Sequence, residues 1–187
     1  MKKTQTLVIA ALLTAFTCIA TMAIKFPTPT LGYIHLGDGL VLLCGILLGP
    51  WYGALTAGIG SMFADLFLGY VSYAPATLVI KALTAMVAAL IFHRIHRKVN
   101  SQKSFYIGII VGGIFAEMIM ILGYFLYETM LAAFAYGSVT TMSLAVGLAA
   151  AVVGIPFNIV QGVVGIIVSL LLFPILMKAD FIREKVK

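Results

Sequence analysis

The chain has 187 residues, of which 63% are hydrophobic and 10% charged, and its formal net charge is +6. Such a composition excludes an ordinary soluble domain and fits one integral membrane domain over residues 1–187. The positive residues form no basic face and accompany no nucleic-acid motif, so no nucleic-acid partner is expected. Cys18 and Cys44 lie in apolar runs without metal-ligand spacing, and they read as small packing residues rather than a disulfide or a zinc site.

The first apolar run, Leu7 to Ile24, follows Lys2 and Lys3. It exceeds the roughly 7–15 apolar residues of a secretory signal and approaches a spanning length, so it is expected to stay as a first transmembrane helix over about residues 4–24. The stretch Lys25-Phe26-Pro27-Thr28-Pro29-Thr30 favours an extended loop, because proline restricts both itself and the residue before it. A second span falls within about 33–48 and stops at Gly49-Pro50. From Asp38 to Leu48 it would rise only about 16 Å, so either Tyr33 to Gly37 is helical too or the span is short.

A third span is expected over about 51–69 and a fourth over about 75–92, with Pro75 suited to its first turn. His93-Arg94-Ile95-His96-Arg97-Lys98 and Lys103 interrupt the apolar pattern before a fifth span over about 105–127. The segment Glu128 to Ile155 is read as an extension of that span, as a helix lying over one face, or as both. Pro156 is expected to break it, and the last span is placed over about 157–177. The whole is an all-α integral membrane protein of six transmembrane helices.

Orientation follows from charge. With both termini in the cytoplasm, ten of the twelve Lys and Arg residues fall on that side, Lys25 falls outside and Lys81 falls within a span. Trp51, Tyr52 and Tyr106 then lie at the inner interface, and Tyr33, Tyr70, Tyr73, Tyr124, Tyr127 and Tyr136 at or near the outer one.

Ionisable groups inside spans need a partner or a watery space. Asp38, Asp65 and Lys81 lie towards the outer face and Glu117 near mid-span. Asp65 and Lys81 have similar depth on neighbouring helices, and the expectation is a structural ion pair between them, with Lys81 also free to touch a ligand. Glu117 is protonated, hydrogen-bonded to a neighbour, or facing a cavity. Asn158 and Gln161 share one helix face; Asn158 is placed in a site and Gln161 is read as interhelical glue. His35 makes a loop hydrogen bond or a ligand contact. Ala11 and Ala15, with Thr14 and Cys18 beside them, form a small-residue surface for packing in the bundle or for docking a partner.

Several of these stretches together resemble one family: Gly32-Tyr33-Ile34-His35-Leu36-Gly37-Asp38, Leu48-Gly49-Pro50, Phe63-Ala64-Asp65-Leu66, Ala74-Pro75-Ala76-Thr77-Leu78-Val79-Ile80-Lys81 and Ile155-Pro156-Phe157-Asn158-Ile159-Val160-Gln161-Gly162. The chain is similar to the substrate-binding S component of energy-coupling factor transporters, small six-helix vitamin receptors of prokaryotic plasma membranes. The resemblance implies a vitamin bound from outside and docking, through Ala11 and Ala15, to a transmembrane coupling protein attached to two ATPase subunits. No Gly-x-x-x-x-Gly-Lys-Ser/Thr loop occurs here, so the chain is not expected to be an enzyme. The expected substrate contacts are His35, Asp38, Lys81, Glu117, Tyr124 and Asn158, with no metal and no cofactor. A vitamin B6 or hydroxymethylpyrimidine type of ligand is favoured, with riboflavin as the alternative. The alternative of another class is a stand-alone proton-coupled carrier using Glu117.

Overall fold

The computed structural model describes residues 3–28, 33–99, 102–135, 139–179 and Arg183, and all structural statements concern these. The roles expected of Lys2, Pro29, Thr30, Gly32 and Tyr136 lie outside them, as do Lys185 and Lys187, two of the ten basic residues expected on the cytoplasmic side. Six helices follow in order: α1 (Lys3–Ala23), α2 (Asp38–Leu48), α3 (Pro50–Leu68), α4 (Ala74–Val99), α5 (Gln102–Ala135) and α6 (Thr141–Leu176). Between α1 and α2 a short antiparallel hairpin pairs β1 (Lys25–Pro27) with β2 (Tyr33–His35), in the register Lys25 to His35 and Pro27 to Tyr33.

Four helices, α1, α4, α5 and α6, are long and apolar enough to cross a membrane. Their outward residues are large and apolar, among them Phe16, Leu90, Phe115 and Leu171. That pattern inverts a soluble protein and suits a lipid solvent. Of the two expectations for the second span, the short one holds: Tyr33–His35 is strand, and α2 has only 11 residues. Every residue of α2 except Leu40 is buried, because α1, α3, α4 and α6 enclose it.

Two other boundaries differ from expectation. The fourth helix runs past 92 to Val99, whereas the fifth continues to Ala135, the extension that was one reading of the segment after 127. Pro156 does not break the last helix either, since α6 is continuous from Thr141 with Pro156 and Pro174 inside it. In a membrane, neighbouring helices can satisfy the carbonyl that an internal proline leaves without a partner. The start of α6 is fixed by a reciprocal cap. The Ser143 N–H donates to Thr140 Oγ1 at 3.1 Å, and the Thr140 N–H donates to Ser143 Oγ at 2.8 Å.

The turn from α2 to α3 depends on Gly49, whose φ of 84° a side chain would strain, and Pro50 then opens α3. Consecutive helices from α3 to α6 pack side by side, and α1 packs on α3. Leu13, Thr17, Cys18 and Thr21 form the buried face of α1. Ala11 and Ala15 point away from it and are exposed.

Candidate binding site

The deepest polar contact lies at the first residue of α2. Asp38 Oδ1 meets Lys81 Nζ of α4 at 2.5 Å, and neither side chain has any exposure. The other carboxylate oxygen accepts a 2.7 Å hydrogen bond from Gln161 Nε2 of α6. Gln161 Oε1 in turn accepts the backbone N–H of His35 at 2.9 Å. One amide thus ties the hairpin, α2 and α6 together, with its orientation set by an acceptor on one side and a donor on the other. His35 Nδ1 accepts the Gly37 N–H at 3.0 Å, the loop hydrogen bond that was one of its two expected roles.

The expected pairing of Asp65 with Lys81 is replaced. Lys81 is engaged by Asp38, and Asp65 Oδ1 accepts the Tyr33 hydroxyl at 2.7 Å. The physical reason is the shortness of α2: a helix of 11 residues starts deep enough to bring its first carboxylate level with Lys81. Asp65 Oδ2 is buried and has no hydrogen-bond partner. Glu117 is also buried, beside Asp38 and near Lys81. Gly162 and Gly165 of α6 make room for it: a Cβ at Gly165 would stand 2.8 Å from Asp38 Cβ and 3.3 Å from Glu117 Oε1.

Above this layer a cavity opens between the hairpin and α3 to α6. Its polar lining includes Tyr33, His35, Asp65, Thr77, Tyr124, Glu128, Asn158 and Gln161. Tyr124 and Thr77 share a hydroxyl contact of 3.1 Å, and Lys81 Nζ lies 5.2 Å from the centre of the Tyr124 ring. Tyr33 packs on Tyr70 at 4.7 Å between ring centres, and Tyr73 on Tyr127 at 5.4 Å, giving an aromatic rim. The cavity volume is about 30 Å³, room for a water or two. Small-molecule pockets measure about 300–1,000 Å³, so a ligand has to part these side chains.

Of the expected substrate contacts, His35, Tyr124 and Asn158 line the cavity, whereas Asp38, Lys81 and Glu117 lie beneath the lining. Gln161, read as glue, does both jobs: it binds α2 and the hairpin and also faces the cavity. Asp65 lines it as well. Thr77, Glu128 and Gly154 carried no expected role in a site. Gly154, Asn158 and Gln161 fall at i, i+4 and i+7 on α6, and Tyr124 and Glu128 at i and i+4 on α5. Those spacings were in the sequence, hidden by ending the fifth span at 127 and starting the sixth at 157.

A family model described as "ECF-type riboflavin transporter, S component" matches residues 1–178. The chain belongs to this family. A Pyrococcus woesei protein described as "Uncharacterized protein in gap 3'region" is 33% identical over 107 residues, covering 57% of this chain and 66% of that protein. The chain therefore spans just under two thirds of that relative's length. Among solved structures, that titled "Structure and mechanism of the S component of a bacterial ECF transporter" superposes with a TM-score of 0.63 at 22% identity. It covers 95% of this chain and 98% of its own. That likeness establishes the S component fold, and the family is one of transporter components rather than enzymes.

Proposed function

We propose that the chain is a vitamin-binding S component that takes riboflavin from outside a prokaryotic plasma membrane. The observation that carries the ligand is the riboflavin family model over residues 1–178, and the preference for pyridoxine or hydroxymethylpyrimidine gives way to it. The cavity chemistry supports the same reading. Tyr33, Tyr73 and Tyr124 offer faces for a flat ring system, and Asn158 and Gln161 offer amides that both donate and accept.

In this reading six helices span the membrane with both termini cytoplasmic, as the basic clusters favour. A transmembrane coupling protein and two ATPase subunits supply the energy. The exposed Ala11 and Ala15 on α1 are the docking surface, since their small side chains let another helix approach closely.

The test is direct titration. Purified alone in detergent, the chain should quench riboflavin fluorescence at a stoichiometry of one, while pyridoxine and hydroxymethylpyrimidine compete poorly. Preference for either competitor would replace the assigned vitamin. Uptake by the chain reconstituted alone, driven by a proton gradient and abolished by Glu117→Gln, would replace the receptor reading with a carrier.

A further inference from the structure

Asp65 stands out among the residues lining the cavity. It is 3% exposed, one of its oxygens is fixed by the Tyr33 hydroxyl at 2.7 Å, and its other oxygen has no hydrogen-bond partner. A buried acceptor left unmatched costs free energy, and the nearest remedy is a donor on whatever enters the cavity. Tyr33 donates to Asp65, so the carboxyl acts as an acceptor there, and the oxygen still unfilled calls for a second O–H or N–H donor. The opposite wall, on α6, is different in kind. Asn158 and Gln161 present amides, which suit a ring edge that alternates donor and acceptor atoms.

We infer that Asp65 is a specificity-determining residue that accepts hydrogen bonds from the hydroxyl groups of a polyol chain on the ligand, while the ring edge faces the α6 amides. This rests on the riboflavin reading above. Riboflavin joins the two chemistries in one molecule: an isoalloxazine with alternating carbonyl and N–H groups, and a ribityl chain rich in hydroxyls. The polyol end then lies by Asp65 and Tyr33, and Thr77 on the adjoining helix lies close to the same carboxyl. Tyr33 is a positioning residue in this arrangement, because it orients the carboxylate rather than contacting the polyol through it.

The experiment compares riboflavin with lumiflavin, which carries a methyl group where riboflavin carries ribityl, on the wild-type chain and on Asp65→Asn. Wild type should bind riboflavin more tightly than lumiflavin. Asp65→Asn should weaken riboflavin by ~10–100-fold, the range of a hydrogen bond to a charged group, and leave lumiflavin within about twofold. Equal weakening of both flavins, no effect on riboflavin, or a wild type that binds the two alike would each overturn the inference. A wild type that binds no flavin overturns the riboflavin reading itself, and the inference with it. If Asp65→Asn does not fold, Tyr33→Phe serves instead: riboflavin should lose at least about threefold more affinity than lumiflavin, and equal losses count against the assignment.

Discussion

Lys81 and Asp38 meet at 2.5 Å with no exposure on either side chain, joining the middle of the bundle at the point where α2 begins. Removing one partner strands the other charge in a medium that cannot solvate it. Lys81→Met should therefore lower stability by about 3–5 kcal/mol, read from thermal or denaturant unfolding in detergent. The double variant Lys81→Met with Asp38→Asn should recover most of that loss. A double variant as unstable as the single one would mean that the pair matters for packing and not for charge.

Gln161 answers two buried groups at once, the Asp38 carboxylate and the His35 N–H. Gln161→Leu keeps the bulk and leaves both unmatched, at a cost of about 2 kcal/mol. The loss should appear locally as faster amide exchange at His35, by about 30-fold, with α4 protection little changed. Uniform acceleration across the helices would show instead that Gln161 supports the whole bundle.

Gly165 allows α6 to pass close to the start of α2. A Cβ there would stand 2.8 Å from Asp38 Cβ and 3.3 Å from Glu117 Oε1, so Gly165→Val should destabilise by about 1–3 kcal/mol through overpacking. It should also weaken vitamin binding, because Gln161 lies one turn away on the same face. Wild-type unfolding and affinity for this variant would contradict the close approach.

Ala11 and Ala15 face outward from α1, away from Leu13, Thr17 and Cys18. Ala11→Trp and Ala15→Trp should leave vitamin affinity within about twofold, since nothing in the bundle packs on these positions. Co-purification with the coupling protein and its ATPases should fail. Assembly that survives both substitutions would move the docking surface elsewhere.

The helices were legible in the sequence wherever a long apolar run lay between basic clusters, as for α1, α4 and the first part of α5. The ends of α5 and α6 were not. Glu128 and Pro156 look like boundaries to a composition argument, yet α5 continues past the first and α6 runs through the second. Of the cavity lining, Asn158, His35 and Tyr124 stand out in the sequence as polar groups among apolar ones. The partner of Lys81 is not legible from depth along α3 and α4 alone, since it comes from α2. The depth of Asp38 depends on how much of residues 33–37 is helical, a choice that local propensity left open and the hairpin pairing decides.

The shortness of α2 has one more consequence, for distance travelled. Counted from the Gly49 turn at the basic end, its 11 residues climb about 16 Å, roughly half of a 30 Å hydrocarbon layer. In the proposed orientation the floor made by Asp38 and Gln161 then sits near the midplane, with β2 partly buried above it. If the orientation proposed above holds, a solute resting on Gln161 would have crossed half the barrier by diffusion, leaving the energised step only the second half to cover.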